Sequence, residues 1–343
     1  MSILARTPRK VALRILVSVG ASSGASNMAL PISFPPKALL KQSFVKVFHL
    51  GQRLGLDILP RHFYSEIPSI PKLRTTEHWR LPYSMAGVQG MDPESQLAFV
   101  RGVVTADVQQ YLEQHDVSAE AARDNGELGY GPIESQLLFA VVATRRPRQI
   151  VQIGCGVSTA LCISAGKFAG YRPEIACVDP YPTDFLKSAA QKGDINLIER
   201  PVETIGLDFF SCLREGDLFF VDSTHTLGPA GEVTRIIVEM LPRLSTGVFV
   251  HFHDILFPYD YAPAILSDTM FFQHESPLLH AFLCMNSNFR VCASMSWLHH
   301  RRQVELAAIF PRYRPMNMTH GLGVDGDLPS SIYLQVLGAP AAA

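Results

Sequence analysis

The sequence predicts a doubly wound α/β protein, in which helices cover both faces of a mostly parallel sheet. Five short apolar runs follow one another between residues 150 and 253, and amphipathic stretches separate them. Each run is apolar at consecutive positions, which is typical of a strand buried on both faces of a parallel sheet. Ligands bind such sheets beyond the carboxyl ends of the strands. Polar residues follow all five runs, so we predict a binding site at that edge.

The order of the predicted strands and helices follows from the places where the sequence changes between a continuous apolar run and apolar residues at helical spacing. An apolar run bounded by turn residues indicates a buried strand, and apolar residues at helical spacing indicate a helix that packs against the sheet. The predicted strands are residues 150–153, 175–178, 195–199, 217–221 and 247–253, and the predicted helices are residues 133–144, 158–169, 184–191, 207–213 and 231–241.

The composition is that of a globular protein with almost balanced charge. The 343 residues are 47% hydrophobic, and 30 Lys and Arg face 31 Asp and Glu. This balance gives no overall attraction to nucleic acid or to anionic membranes, so we expect a small-molecule substrate and no nucleic-acid partner. No apolar stretch reaches the length of a membrane span. Six cysteines without CxxC spacing indicate reduced core residues and a cytoplasmic protein.

The basic residues are unevenly distributed. Residues 1–56 contain eight Lys or Arg and no Asp or Glu. We interpret residues 1–30 as an extension that is disordered, a targeting segment, or translated sequence upstream of a start at Met28. Residues 31–128 are expected to form a helical or irregular cover, and residues 129–338 the domain that holds the sheet.

A glycine turn and an acidic strand end point to an adenosine-containing cofactor. Gly154 and Gly156 follow the first strand and allow backbone N–H groups to approach a ligand, while Ser158 or Thr159 caps the next helix. Asp179 ends the second strand, where a carboxylate accepts hydrogen bonds from ribose hydroxyls. Thr159 replaces the third glycine of the GxGxxG pattern, which disfavours a dinucleotide.

Taken together, the motifs resemble those of class I S-adenosylmethionine-dependent methyltransferases. Within that class the sequence is similar to the branch of macrocin-type sugar O-methyltransferases and cephalosporin-hydroxylase-like proteins. The resemblance implies a seven-stranded Rossmann-like methyltransferase sheet that ends in an antiparallel hairpin, here residues 289–295 and 331–337. The segments that carry it are residues 62–68, 129–134, 151–159, 220–225, 241–244, 250–255 and 330–336.

The resemblance also implies which residues contact the cofactor. The two glycines would line its methionine and ribose portions, Asp179 would bind the ribose, Glu134 would lie near the methionine end, and Val202 would contact the adenine. Gln152 stands where the family usually has Glu or Asp, and it can donate hydrogen bonds but cannot neutralise a cation. The full cofactor-binding prediction comprises Glu134, Gly154, Gly156, Ser158, Thr159, Asp179, Val202 and Asp222.

Methyl transfer to an alcohol requires a group that accepts the hydroxyl proton, and the fourth and fifth strands end in such groups. We predict Asp222, His225 and His253 as catalytic, with either histidine as the base. Asp222, His253 and Asp254 are predicted ligands for Mg²⁺ or Mn²⁺, which would lower the pKa of a chelated hydroxyl. His251 is expected to pack inside the protein.

The predicted function is therefore O-methylation of a small hydroxylated acceptor, such as a sugar or glycoside, with S-adenosylmethionine as donor. Two alternatives stay open at this point. A nicotinamide-dependent oxidoreductase would use the same kind of sheet, and a methyltransferase-fold protein that binds without turnover would explain Gln152. A homo-oligomer is compatible with each of them.

Overall fold

The structure is a computed structural model that describes residues 37–61, 65–268, 270–316 and 326–338. The predicted extension, residues 1–30, lies outside the described residues, as do residues 62–64 of one resemblance motif. The chain divides into two compact units, residues 1–66 and residues 67–343. The described part of the first unit contains one helix, α1, which spans Lys37–Arg53.

The second unit is built on a seven-stranded sheet with the order β3-β2-β1-β4-β5-β7-β6. Strands β1 to β5 are parallel, and β7 runs antiparallel to both β5 and β6. The strand order reverses between β1 and β4, and this position is the switch point at which α/β sheets bind ligands. The strands are Gln149–Ile153 (β1), Glu174–Val178 (β2), Asn196–Ile198 (β3), Leu218–Val221 (β4), Phe249–Phe252 (β5), Phe289–Ser294 (β6) and Ile332–Val336 (β7).

This topology confirms the predicted doubly wound, mostly parallel seven-stranded sheet with its antiparallel hairpin. The α-helices of the second unit pack on both faces. They are Ile70–Leu73 (α2), Pro93–Val103 (α3), Ala106–Gln114 (α4), Val117–Asn125 (α5), Pro132–Arg145 (α6), Val157–Phe168 (α7), Asp184–Gln191 (α8), Glu232–Arg235 (α9), Pro263–Asp268 (α10), Glu275–Leu283 (α11), Met295–Arg301 (α12) and Gln303–Ile309 (α13). None of the helices described combines the length and hydropathy needed to cross a bilayer.

Two predicted helices take a different form. The segment predicted as a helix at residues 207–213 is a six-residue 3₁₀ helix, Leu207–Cys212. The helix predicted at residues 231–241 starts as α9 and continues as a π-helical turn, Ile236–Met240. A 3₁₀ turn, Leu241–Arg243, follows, and Pro242 within it has no N–H to donate to a continuing α-helix.

The apolar core lies on both faces of the sheet because alternate strand residues point to opposite sides. Ile150 packs under the helices on one face, whereas Val151 and Ile153 pack on the other. One row across the first face includes two polar residues, Gln152 and His251, in register on either side of Phe220. Both polar side chains are fully buried, so this face requires internal hydrogen bonds.

Candidate active site

The turn between β1 and α7 lies directly against the carboxyl end of β4. Gly154 and Gly156 both have positive φ, 74° and 137°, which side chains other than glycine rarely adopt. A Cβ atom at position 154 would collide with the backbone carbonyl oxygen of Asp222. Glycine at position 154 therefore allows the turn to lie in direct contact with the end of β4, and both predicted glycines lie where the sequence places them.

Gln152 and Thr159 hold this turn in place through hydrogen bonds. The hydroxyl of Thr159 accepts a hydrogen bond from the Gly156 N–H at 3.2 Å and donates one to Oε1 of Gln152 at 2.7 Å. Both side chains are fully buried. The amide that replaces the usual carboxylate thus fixes the glycine turn through Thr159. Of the two predicted capping residues, Thr159 makes the bond to the turn, while Ser158 is buried beside it.

Asp179 is held beside the same turn. One carboxylate oxygen accepts a hydrogen bond from the Cys155 N–H at 3.1 Å, and the other accepts from the Tyr181 N–H at 2.8 Å. Two backbone donors fix the carboxylate in place, and each oxygen retains a lone pair for a further donor. The position and the remaining acceptor capacity fit a ribose diol. Val202, the predicted adenine contact, lies in the 3₁₀ turn Val202–Thr204 and is buried in the core.

A buried histidine connects the ends of β4 and β5. His225 adopts a positive φ of 57°, and its Nδ1 lies 2.6 Å from Oε2 of Glu275, the first residue of α11. Its Nε2 lies 3.3 Å from Oδ1 of Asp222 and 3.9 Å from Oδ2 of Asp254. The imidazole of His225 therefore lies among three carboxylates.

The charge on His225 follows from these neighbours. Burial by itself lowers the pKa of His225, but hydrogen bonds with Asp222 and Glu275 outweigh burial and raise the pKa to about 10. At neutral pH the side chain is an imidazolium ion. It orients the two aspartates and has no free lone pair with which to accept a substrate proton.

A second network joins Asp254 to Glu134. The hydroxyl of Ser330 donates to Oδ1 of Asp254 at 2.9 Å, and the backbone N–H of Ser330 donates to Oε1 of Glu134 at 2.6 Å. Glu134 lies in the first turn of α6 and is almost fully buried. Burial raises its pKa, and the nearby His253 and the Ser330 N–H oppose that shift. Ser330, at the start of β7, thus fixes two acidic groups that are far apart in the sequence.

These residues line a cavity of about 320 Å³ at the end of β5. His253 is buried at its wall, with its Nε2 3.5 Å from Oδ1 of Asp254, and its ring lies tilted by 39° against that of Tyr130, with 4.5 Å between centroids. Tyr261 closes one side and donates a hydrogen bond to the Asp254 carbonyl. The charged lining described is acidic, from Glu134, Asp254 and Asp327, and it contains no Lys or Arg.

His251 lies deeper in the protein. It is fully buried, it stacks on Phe220 with 4.7 Å between ring centroids, and its Nε2 lies 3.0 Å from the hydroxyl of Tyr130. Burial lowers the pKa of His251 well below its ordinary value. The structure therefore places His251 in the apolar layer, two residues before the histidine that reaches the cavity.

The predicted metal ligands do not form a metal site in this arrangement. Among the residues that the structure describes, no group of three or more His, Cys, Asp or Glu could hold a metal ion. Asp222 and Asp254 both face the imidazolium of His225, and Asp254 also accepts from Ser330.

Glu275 and Ser330 are two residues of this site that no sequence motif indicated. Glu275 is fully buried, although it follows an apolar segment with no recognisable motif. An acidic residue between apolar runs was its only sequence signal. Ser330 belongs to the closing motif, residues 330–336, which predicted a strand but no site residue.

A family model described as a methyltransferase domain matches residues 151–255, from β1 to the residues just after β5. The chain carries a class I methyltransferase domain. Domains of this class use S-adenosylmethionine, and the matched range contains the glycine turn, Asp179, Asp222 and the β5 end of the site.

Three relatives give the extent of the similarity. An uncharacterised protein of Archaeoglobus fulgidus is 30% identical over 195 residues, covering 54% of this chain and 85% of its own length, so this chain belongs to the same family. An S-adenosylhomocysteine-bound methyltransferase of Podospora anserina is 19% identical, with a TM-score of 0.37 and coverage of 54% of this chain and 87% of that one. A structure of cmcI with Mg and SAM is 15% identical, with a TM-score of 0.28 and coverage of 60% and 72%.

Proposed function

We propose that the methyltransferase domain transfers a methyl group from S-adenosylmethionine to the oxygen of a small hydroxylated acceptor, such as a sugar or a glycoside. One observation carries the proposal. Asp222 contacts the glycine turn through its backbone and the buried His225 through its side chain. Asp254 lines the cavity and its carboxylate lies 3.9 Å from Nε2 of His225, so His225 connects a donor at the turn to an acceptor in the cavity.

The donor side of the site is suited to an adenosine with a cationic tail. Glycine at position 154 lets the turn lie against the backbone of Asp222, and Asp179 offers two oriented carboxylate oxygens. When bound, S-adenosylmethionine supplies an electrophilic methyl group on a sulfonium. Asp222, whose side chain is about one-quarter exposed, gives negative charge near that cation.

The acidic residues that line the cavity are expected to select acceptors by their charge. An anionic acceptor would be repelled by Glu134, Asp254 and Asp327, whereas neutral or cationic hydroxylated molecules would not. Tyr261 and Leu256 offer the apolar surface on which a sugar ring packs. We therefore expect a neutral or amino-substituted polyol.

The hydroxyl proton requires a base, and His253 is the residue we propose for it. Its imidazole lies at the cavity wall beside Asp254, which would stabilise the imidazolium that forms when the proton is accepted. His225 already carries a proton and is proposed as a positioning residue that holds Asp222 and Asp254. No step is assigned to Mg²⁺ or Mn²⁺, because Asp222 and Asp254 both contact His225 and Asp254 also accepts a hydrogen bond from Ser330.

The first experiment is calorimetric titration of the full chain with S-adenosylmethionine, S-adenosylhomocysteine and NAD. We expect the two methionine derivatives to bind and NAD not to bind. Methyl transfer is then assayed against neutral, cationic and anionic hydroxylated acceptors, with and without a chelator. Donor binding without transfer to any acceptor would support the non-catalytic alternative, and NAD binding would support an oxidoreductase. Activity lost with the chelator and restored by Mg²⁺ would contradict the metal-free assignment.

A further inference from the structure

Helix α1 exposes an apolar stripe. Phe44, Val47, Leu50 and Leu54 follow one another at intervals of three or four residues, which places them on one face of the helix and of the turn after it. Their exposed fractions rise from 40% at Phe44 to 60% at Leu50 and 69% at Leu54. A contiguous exposed apolar face of this kind marks an interaction surface.

The charges of α1 are all of one sign. The helix contains four Lys or Arg and no Asp or Glu, and residues 1–56 as a whole contain no acidic residue. By helical geometry, Lys46 and Arg53 lie about 100° from the centre of the apolar stripe. Both side chains are exposed. The apolar face is therefore bordered by cations, which can extend toward anionic groups while their stems cover apolar surface.

We propose that α1 is a membrane-surface helix that binds an anionic lipid bilayer, with the apolar stripe buried among the acyl chains and the basic residues at the headgroups. The 17 residues of the helix and its charges fit a position in the plane of the interface rather than across it. Uniform positive charge favours anionic lipid over a helical protein partner, because pairing between protein helices uses both charge signs. This proposal is independent of the proposed methyl transfer.

The experiment is vesicle flotation of the full chain. The probes are vesicles of phosphatidylcholine alone and of phosphatidylcholine mixed with phosphatidylserine. We expect binding to the mixed vesicles and at least ten-fold weaker binding to phosphatidylcholine alone. We also expect binding to weaken when salt rises from about 0.1 M to about 1 M, over which the Debye length falls from about 10 Å to about 3 Å.

Two variants separate the apolar and the electrostatic contributions. Leu50→Glu places a charge in the apolar stripe and is expected to reduce vesicle binding at least ten-fold. Lys46→Gln removes one positive charge and is expected to reduce binding roughly five-fold. The matched control is Val304→Glu, which introduces the same charge at an apolar side chain of α13 that is 82% exposed, and it should bind vesicles as the unmodified chain does.

Three results would overturn the proposal. They are equal binding to both vesicle types, unchanged binding of Leu50→Glu, and self-association in the absence of lipid that Leu50→Glu abolishes. The last result would assign the stripe to an interface between copies of the chain. Titration with S-adenosylmethionine should give the same affinity for all variants, and this readout separates failure of the lipid proposal from failure of the proposed function.

Discussion

The two halves of the candidate site are built by different parts of the chain. The donor edge consists of the ends of β1 and β2 with Gly154, Gly156 and Asp179. Its hydrogen bonds join residues 3, 7 and 24 positions apart. The acceptor edge consists of the ends of β4 and β5 with α11 and the start of β7, and its hydrogen bonds join residues 50, 76 and 196 positions apart.

From this difference we predict that donor binding and methyl transfer can be altered separately in this protein. A change at the donor edge alters a turn and a carboxylate that are encoded within one short stretch. A change at the acceptor edge alters contacts that exist only when distant segments have folded together. Substitutions at the first edge should therefore act on donor affinity, and substitutions at the second on turnover and stability.

The largest effect is expected for His253→Gln. Removal of the proposed base should lower kcat by about 10²-fold to 10⁴-fold, since a positioned base contributes that much to proton transfer. Donor affinity measured by calorimetry should stay unchanged. The matched control is His115→Gln on the protein surface, where the ring contacts Glu120 and is about 41% exposed. A normal kcat for His253→Gln would remove this residue from the mechanism.

Glu275→Gln should affect the acceptor edge through His225. The variant loses a buried charge-assisted hydrogen bond, which corresponds to about 1.5–3 kcal/mol of unfolding free energy. The folded-state pKa of His225, about 10, lies above the unfolded value of about 6.5, so its stabilising contribution is complete below pH 6.5 and is lost as pH rises toward 10.

Urea denaturation across that range tests the pH dependence. In the native chain the unfolding free energy should fall between about pH 6.5 and pH 10 as His225 loses its proton, and in Glu275→Gln the fall should be smaller and begin at lower pH. Parallel profiles for the two proteins would contradict the ion pair. Glu275→Asp, which keeps the charge, should restore part of the pH dependence.

Asp179→Asn should act on the donor edge alone. The neutral amide makes weaker hydrogen bonds to the ribose, and its NH₂ group cannot accept one of the two backbone N–H bonds from Cys155 and Tyr181, so we expect donor affinity to fall by about ten-fold to one-hundred-fold. The kcat at saturating donor should change little. Asp184→Asn, at the exposed first turn of α8, is the matched control. A lower kcat with unchanged donor affinity would show that Asp179 acts in methyl transfer and not in donor binding.

The smallest effect is expected for Thr159→Val. This variant removes the hydroxyl that connects Gly156 to Gln152, which should cost about 1 kcal/mol of stability and weaken donor binding several-fold. Thr159→Ser keeps the hydroxyl and should behave like the native chain. Equal donor affinity for Val and Ser at this position would show that the turn keeps its conformation without the bond.

The sequence predicted the donor edge almost completely. Gly154, Gly156 and Asp179 lie at strand ends where apolar runs stop, and a parallel sheet brings those ends to one edge. Thr159 was recognised as a capping residue, but its bond to Gln152 was not, because a strand pattern does not show which buried polar groups face each other. The helix boundaries were less accurate, as in the 3₁₀ turn Leu207–Cys212.

The sequence predicted the acceptor edge only in part. Asp222, His225, His253 and Asp254 were found because they follow β4 and β5 directly. Glu275 was not found because its partner, His225, is 50 residues away and no periodicity connects them. The charge on His225 also depends on that contact, so the sequence left both histidines open as the base.

By itself, the sequence determined the doubly wound sheet, the position of the site at the carboxyl ends of its strands, and the glycine turn with its acidic neighbour. These features depend on hydrophobic period and on local backbone geometry, which short segments encode. Only the tertiary structure decided that Gln152 supports the turn and that His225 is enclosed by three carboxylates. It also decided that Ser330 joins Asp254 to Glu134. Those features depend on burial and on contacts between distant segments, and both arise only when the chain has folded.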